Sequence, residues 1–260
     1  MAAVRIDGRS CFYRLEGEGG KPVLVLSHPV GADHGIWDQV VARFTPHFQV
    51  LRYDLRGHGA SEVAAGDCSV AMLADDLVAL TGALGIPRFS VAGVSLGALA
   101  GLSLARTRPD LLDALVVSNV AARLPLSAEQ WDSRIATVRE RGMAALAPGM
   151  VERMFSTSYR ARDTPFMHTV VNSFLSTPVA GYAAALAALR DADLRDALAD
   201  VRVRTLVVSA AEDAAIPAAD ARLLAAGIPG ARLEVLPGGH LTPVEAPERF
   251  AQAALDFLLA

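Results

Sequence analysis

A serine framed by glycines, Gly93-Val94-Ser95-Leu96-Gly97, closes the apolar run Phe89 to Gly93 and opens a segment of small residues, Gly97, Ala98, Ala100 and Gly101. This setting suits a strained strand-to-helix turn that thrusts a hydroxyl out of a sheet, because a Cβ at either glycine would crowd the neighbouring strand and helix. A serine hydroxyl is too weak an acid to attack a carbonyl unaided. A histidine must take its proton, and a carboxylate must hold that histidine in the right tautomer. Asp213 lies just beyond the apolar run Thr205 to Ser209, and His240 just beyond Leu233 to Leu236. Strand ends of that kind are where open α/β sheets keep their functional groups. The chemistry expected is acyl transfer from an ester or lactone, with Ser95 attacking, His240 as base and Asp213 as orienting acid.

Each role has competitors. Glu212 adjoins Asp213, but the shorter aspartate suits a tight loop and Glu212 is expected in solvent. His28 and His58 lie near predicted strand ends yet precede Ser95 in the chain, against the order serine, acid, histidine. His34, His47 and His168 fall in loops or helices and read as structural or solvent-facing. Asn119 ends an apolar run where an acid could sit, but an amide cannot compensate an imidazolium. A developing alkoxide needs two backbone donors. Leu96 supplies the first. In Ser27-His28-Pro29-Val30-Gly31 the proline has no N–H, which assigns the second to Val30, with Gly31 as the fallback.

The elements that must position these groups are legible as short aliphatic runs, Val23 to Leu26, Val50 to Tyr53, Phe89 to Ala92, Leu115 to Ser118 and Leu206 to Ser209. Near-continuous apolarity marks strands covered on both faces. Helical text alternates with them, at Val70 to Leu84, Leu96 to Arg106, Ala218 to Ala226 and Ala246 to Leu259, so a doubly wound, mostly parallel sheet is predicted. Val4 to Arg9 and Phe12 to Leu15, joined through Asp7-Gly8, predict an antiparallel edge hairpin. From about Pro125 to Leu198 the strand rhythm stops and helices are expected at Ala128 to Arg141, Met150 to Phe155 and Val179 to Leu189. The predicted organisation is a core of residues 1–124 and 199–260 with a helical cap of residues 125–198 inserted between them.

The apolar fraction of 52% is ample for a core, and a net charge of −4 with no basic stripe argues against nucleic acid or an anionic membrane as partner. Cys11 and Cys68 stand far apart, without metal-ligand spacing, so neither a disulfide framework, a metal nor another cofactor is expected. The first residues lack the apolar run of a signal peptide, and no later stretch reaches about 20 uninterrupted apolar residues, so a cytoplasmic protein is expected. The expected partner is a small ester or lactone; the oligomeric state stays open, a homo-oligomer included.

Taken together, His28 to Asp38, Leu51 to Glu62, Ala92 to Ala98, Asn119 to Leu124, Ser209 to Asp213 and Gly238 to His240 resemble the 3-oxoadipate enol-lactonases of the α/β-hydrolase superfamily. The cap segments carry the more specific likeness, in Trp131, Arg134, Glu152 to Phe155 and Leu189 to Arg195. The chain departs from that family at His28-Pro29, where a polar Asn-Ser pair is common, and at Met154, where an aromatic follows Glu-Arg. The resemblance implies an α/β-hydrolase fold and opening of an enol-lactone to 3-oxoadipate in aromatic-compound breakdown. It also implies a cap cation for the substrate carboxylate, with Arg134 or Arg123 as candidates and Trp131 as an apolar wall; surface and packing roles are the alternatives for these three. Rival readings are another capped esterase, C–C hydrolase or perhydrolase, and a non-catalytic binding protein on the same fold.

Overall fold

In a computed structural model of the protein, which describes residues 2–260, eight strands make one sheet in the order β1-β2-β4-β3-β5-β6-β7-β8. They are β1 (Ala2–Ile6), β2 (Arg9–Glu16), β3 (Val23–Ser27), β4 (Gln49–Tyr53), β5 (Phe89–Val94), β6 (Leu112–Ser118), β7 (Thr205–Ala210) and β8 (Arg232–Leu236). The β1–β2 and β2–β4 pairs are antiparallel and all others parallel. Asp7 and Gly8 turn the edge hairpin with φ of 47° and 79°, the positive values that match strand twist.

The helices are α1 (Val41–Phe44), α2 (Val70–Ala83), α3 (Leu96–Thr107), α4 (Ala128–Arg141), α5 (Ala147–Met154), α6 (Thr157–Ala161), α7 (Pro165–Ser176), α8 (Val179–Asp191), α9 (Ala218–Gly227), α10 (Thr242–Glu245) and α11 (Pro247–Leu258). Alternate strand residues feed opposite faces of the sheet. Val25, Leu51, Val91 and Val117 pack with Leu77 of α2, Leu99 of α3 and Leu224 of α9. Leu24, Val50, Ala92 and Val116 pack with Phe44 of α1 and Phe250 of α11. Helices on both faces explain why the strands read as unbroken apolar runs.

Between β6 and β7 the chain leaves the sheet for α4 to α8, here called the cap. Ser127 starts α4 with a full capping box: its Oγ accepts from Gln130 N while Ser127 N donates to Gln130 Oε1 at 2.9 Å. The helices expected here correspond to α4, to α8 and to α5, which begins at Ala147 rather than Met150; α6 and α7 were not expected. The signal for α7 was present: Thr164 caps Met167 N and Pro165 fills the first turn, a usual helix opening.

The cap sits on two core loops and on helix α10. Gly181 of α8 meets Gly57 backbone to backbone: a Cβ on Gly57 would lie 2.5 Å from Gly181 Cα. Gly31 lies under Phe174 and Tyr182, where a Cβ would lie 2.7 Å from the Phe174 ring, and Ser173 Oγ of α7 donates to Asp33 Oδ2 at 2.7 Å. Ser156, at the start of α6, donates through N and Oγ to the Glu245 carboxylate at 3.0 and 2.5 Å. Among the described residues, no single helix is long and apolar enough to cross a membrane.

Candidate active site

β5 delivers Ser95 to a turn with φ 53° and ψ −114°, a conformation that costs an L residue on the order of 1–3 kcal/mol. Tight surroundings enforce it. Ser95 N donates to Ser118 O of neighbouring β6 at 2.9 Å, and Leu99 N donates back to Ser95 O at 3.0 Å. A Cβ on Gly93 would lie 2.6 Å from Ala98 N, and one on Gly97 would lie 2.3 Å from Ser27 O. The glycine frame is therefore a packing requirement: α3 folds straight back over β5 and presses on the end of β3. Leu96 is the first residue of α3, so its N–H has no partner within the helix.

Beyond β7, the Asp213 carboxylate is only 1% exposed and completely partnered. Oδ1 accepts from Ala215 N at 2.8 Å and Ile216 N at 2.9 Å, and Oδ2 accepts from Asn119 Nδ2 at 2.9 Å. His240 turns Nδ1 to the same carboxylate, 2.9 Å from Oδ2. Burial alone would push Asp213 up, but the facing His240, its hydrogen bond and those from Asn119 and Ile216 outweigh it and hold the carboxyl below its ordinary value. Asn119, at φ 52°, is itself fixed: Oδ1 accepts from Ser118 Oγ at 2.5 Å and Thr242 Oγ1 at 2.9 Å, so the amide nitrogen faces Asp213. Glu212 is exposed, as expected.

Ser95 and His240 open on one cavity of about 180 Å³, with Pro29 and Val30 beside them and Trp131 and Arg134 on its cap side. The profile of the alpha/beta hydrolase family matches residues 24–253. The chain belongs to the alpha/beta hydrolase family. It is 32% identical to 3-oxoadipate enol-lactonase 2 of Acinetobacter baylyi, over 93% of this chain and 90% of that one. It is 33% identical to a relative from Caulobacter sp. strain K31 that carries the name of a carbamate hydrolase, RutD, over 99% and 98%. Among solved structures, the enol-lactonase from Burkholderia xenovorans LB400 superposes with a TM-score of 0.97 at 35% identity, covering 100% of both chains.

Within this alpha/beta hydrolase, the residues singled out in the sequence divide. Ser95, His240, Val30, Trp131 and Arg134 line one cavity, Asp213 stands behind His240, and Leu96 adjoins Ser95. Arg123 does not join them. Its main chain bridges Asp193, its side chain is 57% exposed and leans on Asp193 at 3.8 Å, and it lines a separate outer depression. An arginine spent on a surface carboxylate outside the cavity is no anchor for a ligand inside it. His28 is also withdrawn: Nδ1 donates to Pro29 O at 2.8 Å and Nε2 accepts from Leu55 N at 2.9 Å, which occupies both nitrogens and braces the loop before Val30.

Three contributors escaped the sequence reading. Asn119, expected only as a place where a substitute acid could sit, instead donates to Asp213. Arg153 of α5 lines the cavity with Arg134. Burial depresses Arg134 first, and Arg153 adds to this by repulsion. Tyr182, sunk between the two arginines, is pushed up by burial and drawn back by both.

Proposed function

We propose that the protein is a serine hydrolase that opens a small anionic lactone, 3-oxoadipate enol-lactone, to 3-oxoadipate. One observation carries the reading. A half-buried guanidinium, Arg134, with its Cζ 5.5 Å from the Trp131 ring, shares a narrow cavity with Ser95 and His240 and has no carboxylate partner among the described residues. A lactone with a free carboxylate would supply that partner while offering its carbonyl to Ser95. The likeness to enol-lactonases over nearly the whole chain, cap included, supports the same substrate.

Ser95 Oγ attacks the ring carbonyl as His240 Nε2 takes its proton, and the Leu96 and Val30 amides receive the oxyanion. Asp213, kept ionised by its donors, holds His240 with Nδ1 inward and Nε2 outward. The ring C–O bond breaks, the departing enolate oxygen takes the proton from His240, the enol so formed ketonises, and the opening becomes effectively irreversible. Water, deprotonated by His240, then releases the acyl group from Ser95. The test is loss of the enol-lactone absorbance beside a panel of simple esters, a carbamate and a C–C substrate. Turnover of the lactone that is lost in Ser95→Ala is the expected result; turnover of the other substrates alone would overturn it.

A further inference from the structure

Arg134 and Arg153 both line the cavity, and the lactone reading draws on Arg134 alone. The sunken arginines of the core are neutralised, Arg9 and Arg56 by Asp76 and Arg52 by Glu16 and Asp38; in the cap, Arg160 also lacks a carboxylate but donates to Thr157 and stands outside the cavity lining. Arg134 and Arg153 have no salt bridge or hydrogen bond among the described residues, yet both are half-buried and they repel each other. Around them the wall is apolar, formed by Met150, Met154, Leu186 and Leu189. Two neighbouring cations whose nearby carboxylate, Glu152 beside Arg153, forms no ion pair with either are costly to bury, and such arrangements cluster at functional sites. Each guanidinium presents a fork of donors, and two forks match the lone pairs of one carboxylate gripped from both sides.

We propose that Arg153 and Arg134 together form a carboxylate clamp facing Ser95, and that the protein also hydrolyses half-esters of short linear dicarboxylic acids. The inference rests on Ser95 acting as nucleophile but not on the ring of the lactone. The cavity lining brings together Ser95, His240 and the two arginines in an otherwise mostly apolar wall that includes Tyr182. Nothing on that wall demands a ring, so an open chain with an ester at one end and a carboxylate at the other makes the same two contacts. Ser95 Oγ adds to the ester carbonyl, the bond to the alkoxy oxygen breaks, and the alcohol leaves with the proton held by His240. Water then gives its hydroxyl to the acyl carbon and a proton to His240, the acyl–Oγ bond breaks, Ser95 Oγ takes the proton back from His240 and the dicarboxylate is released.

The experiment measures kcat/KM for the monomethyl esters of malonic to pimelic acid and for the matching neutral dimethyl esters. The half-ester should be preferred by roughly tenfold or more at one or two adjacent chain lengths, set by the distance from Ser95 to the clamp. In Arg153→Met and in Arg134→Met the ratio of half-ester to neutral ester should fall toward unity, through KM. Because the ratio is taken within one variant, partial misfolding cancels. Arg153→Lys, which keeps the charge and loses the fork, should fall between. The free dicarboxylate of the preferred length should inhibit competitively, and less in Arg153→Met. Equal rates on half-ester and neutral ester in the wild type, or an unchanged ratio in Arg153→Met, would overturn the clamp. Half-ester turnover without lactone turnover would sink the lactone reading and leave the clamp standing. Half-ester turnover that survives Ser95→Ala would sink both.

Discussion

Ser95 stores its strain where the proposed chemistry happens, and that makes a separable prediction. Ser95→Ala keeps the Cβ and the unfavourable φ of 53°, whereas Ser95→Gly removes the penalty. Both should abolish turnover, but the glycine variant should unfold at the higher temperature, by an amount corresponding to about 1 kcal/mol; equal melting temperatures would show the turn to be unstrained. Asp213→Asn should leave the fold intact and lower kcat by about ten-thousand-fold, because an amide favours the wrong histidine tautomer. Asn119→Ala removes one of the donors that keep Asp213 ionised and should lower kcat with KM nearly unchanged, the mark of a group that holds the acid and never meets substrate. Ser95, Asp213 and His240 were legible because each stands beside a strand run that fixes its place. Arg153 and Asn119 were not, since their roles depend on which residues the cap and the neighbouring strand bring opposite them. Arg123 shows the converse: its residue type suited an anchor, but Asp193 bridges it outside the cavity.

At the scale of elements, the loop between β8 and α10 that carries His240 is pinned from outside by Glu245. Its carboxylate takes both donors of Ser156, and a Cβ on Gly239 would lie 2.7 Å from Glu245 Oε1. Cap position and histidine position are therefore tied through one side chain. Burial is the largest influence on Glu245, and with repulsion from Glu212 it outweighs the donors from Ser156 and Gly239, leaving the carboxyl above its ordinary value of 4.5. The folded state thus favours the protonated form. The linked stability is complete below pH 4.5 and is lost as pH rises through the raised value. Glu245→Gln, which mimics that form, should melt at or above the wild type near about pH 8, and the advantage should vanish near about pH 4. An advantage that grew on acidification would contradict this account. Ser156→Ala, which removes the Oγ donor and keeps the backbone one, should instead raise KM and lower kcat together, modestly, by loosening the tie between cap and histidine loop.

Across the whole molecule, the sheet was legible because unbroken aliphatic runs mean strands buried on both faces. The seating of the cap was not, because it depends on two loops and helix α10, which meet only after folding. Those two loops carry His28 and His58, ring centroids 5.5 Å apart, both fully buried and both lowered by burial, His58 to about 4. A histidine kept neutral in the fold takes up its proton more readily when unfolded. Its contribution is therefore complete above pH 6.5 and is lost as pH falls toward 4, on the order of 3 kcal/mol for His58. The urea midpoint should drop across that window, and His58→Phe should flatten the drop; a midpoint independent of pH there would refute it. The contact between Gly57 and Gly181 has a different kind of consequence. It is a rule of compatibility between parts. A cap transplanted from a relative onto this core will seat only if a glycine arrives with it at position 181, because even one methyl group there would collide with the Gly57 carbonyl, 2.1 Å away. Cap exchange by recombination would then be limited less by the joints at the chain ends than by one atom in the middle of α8.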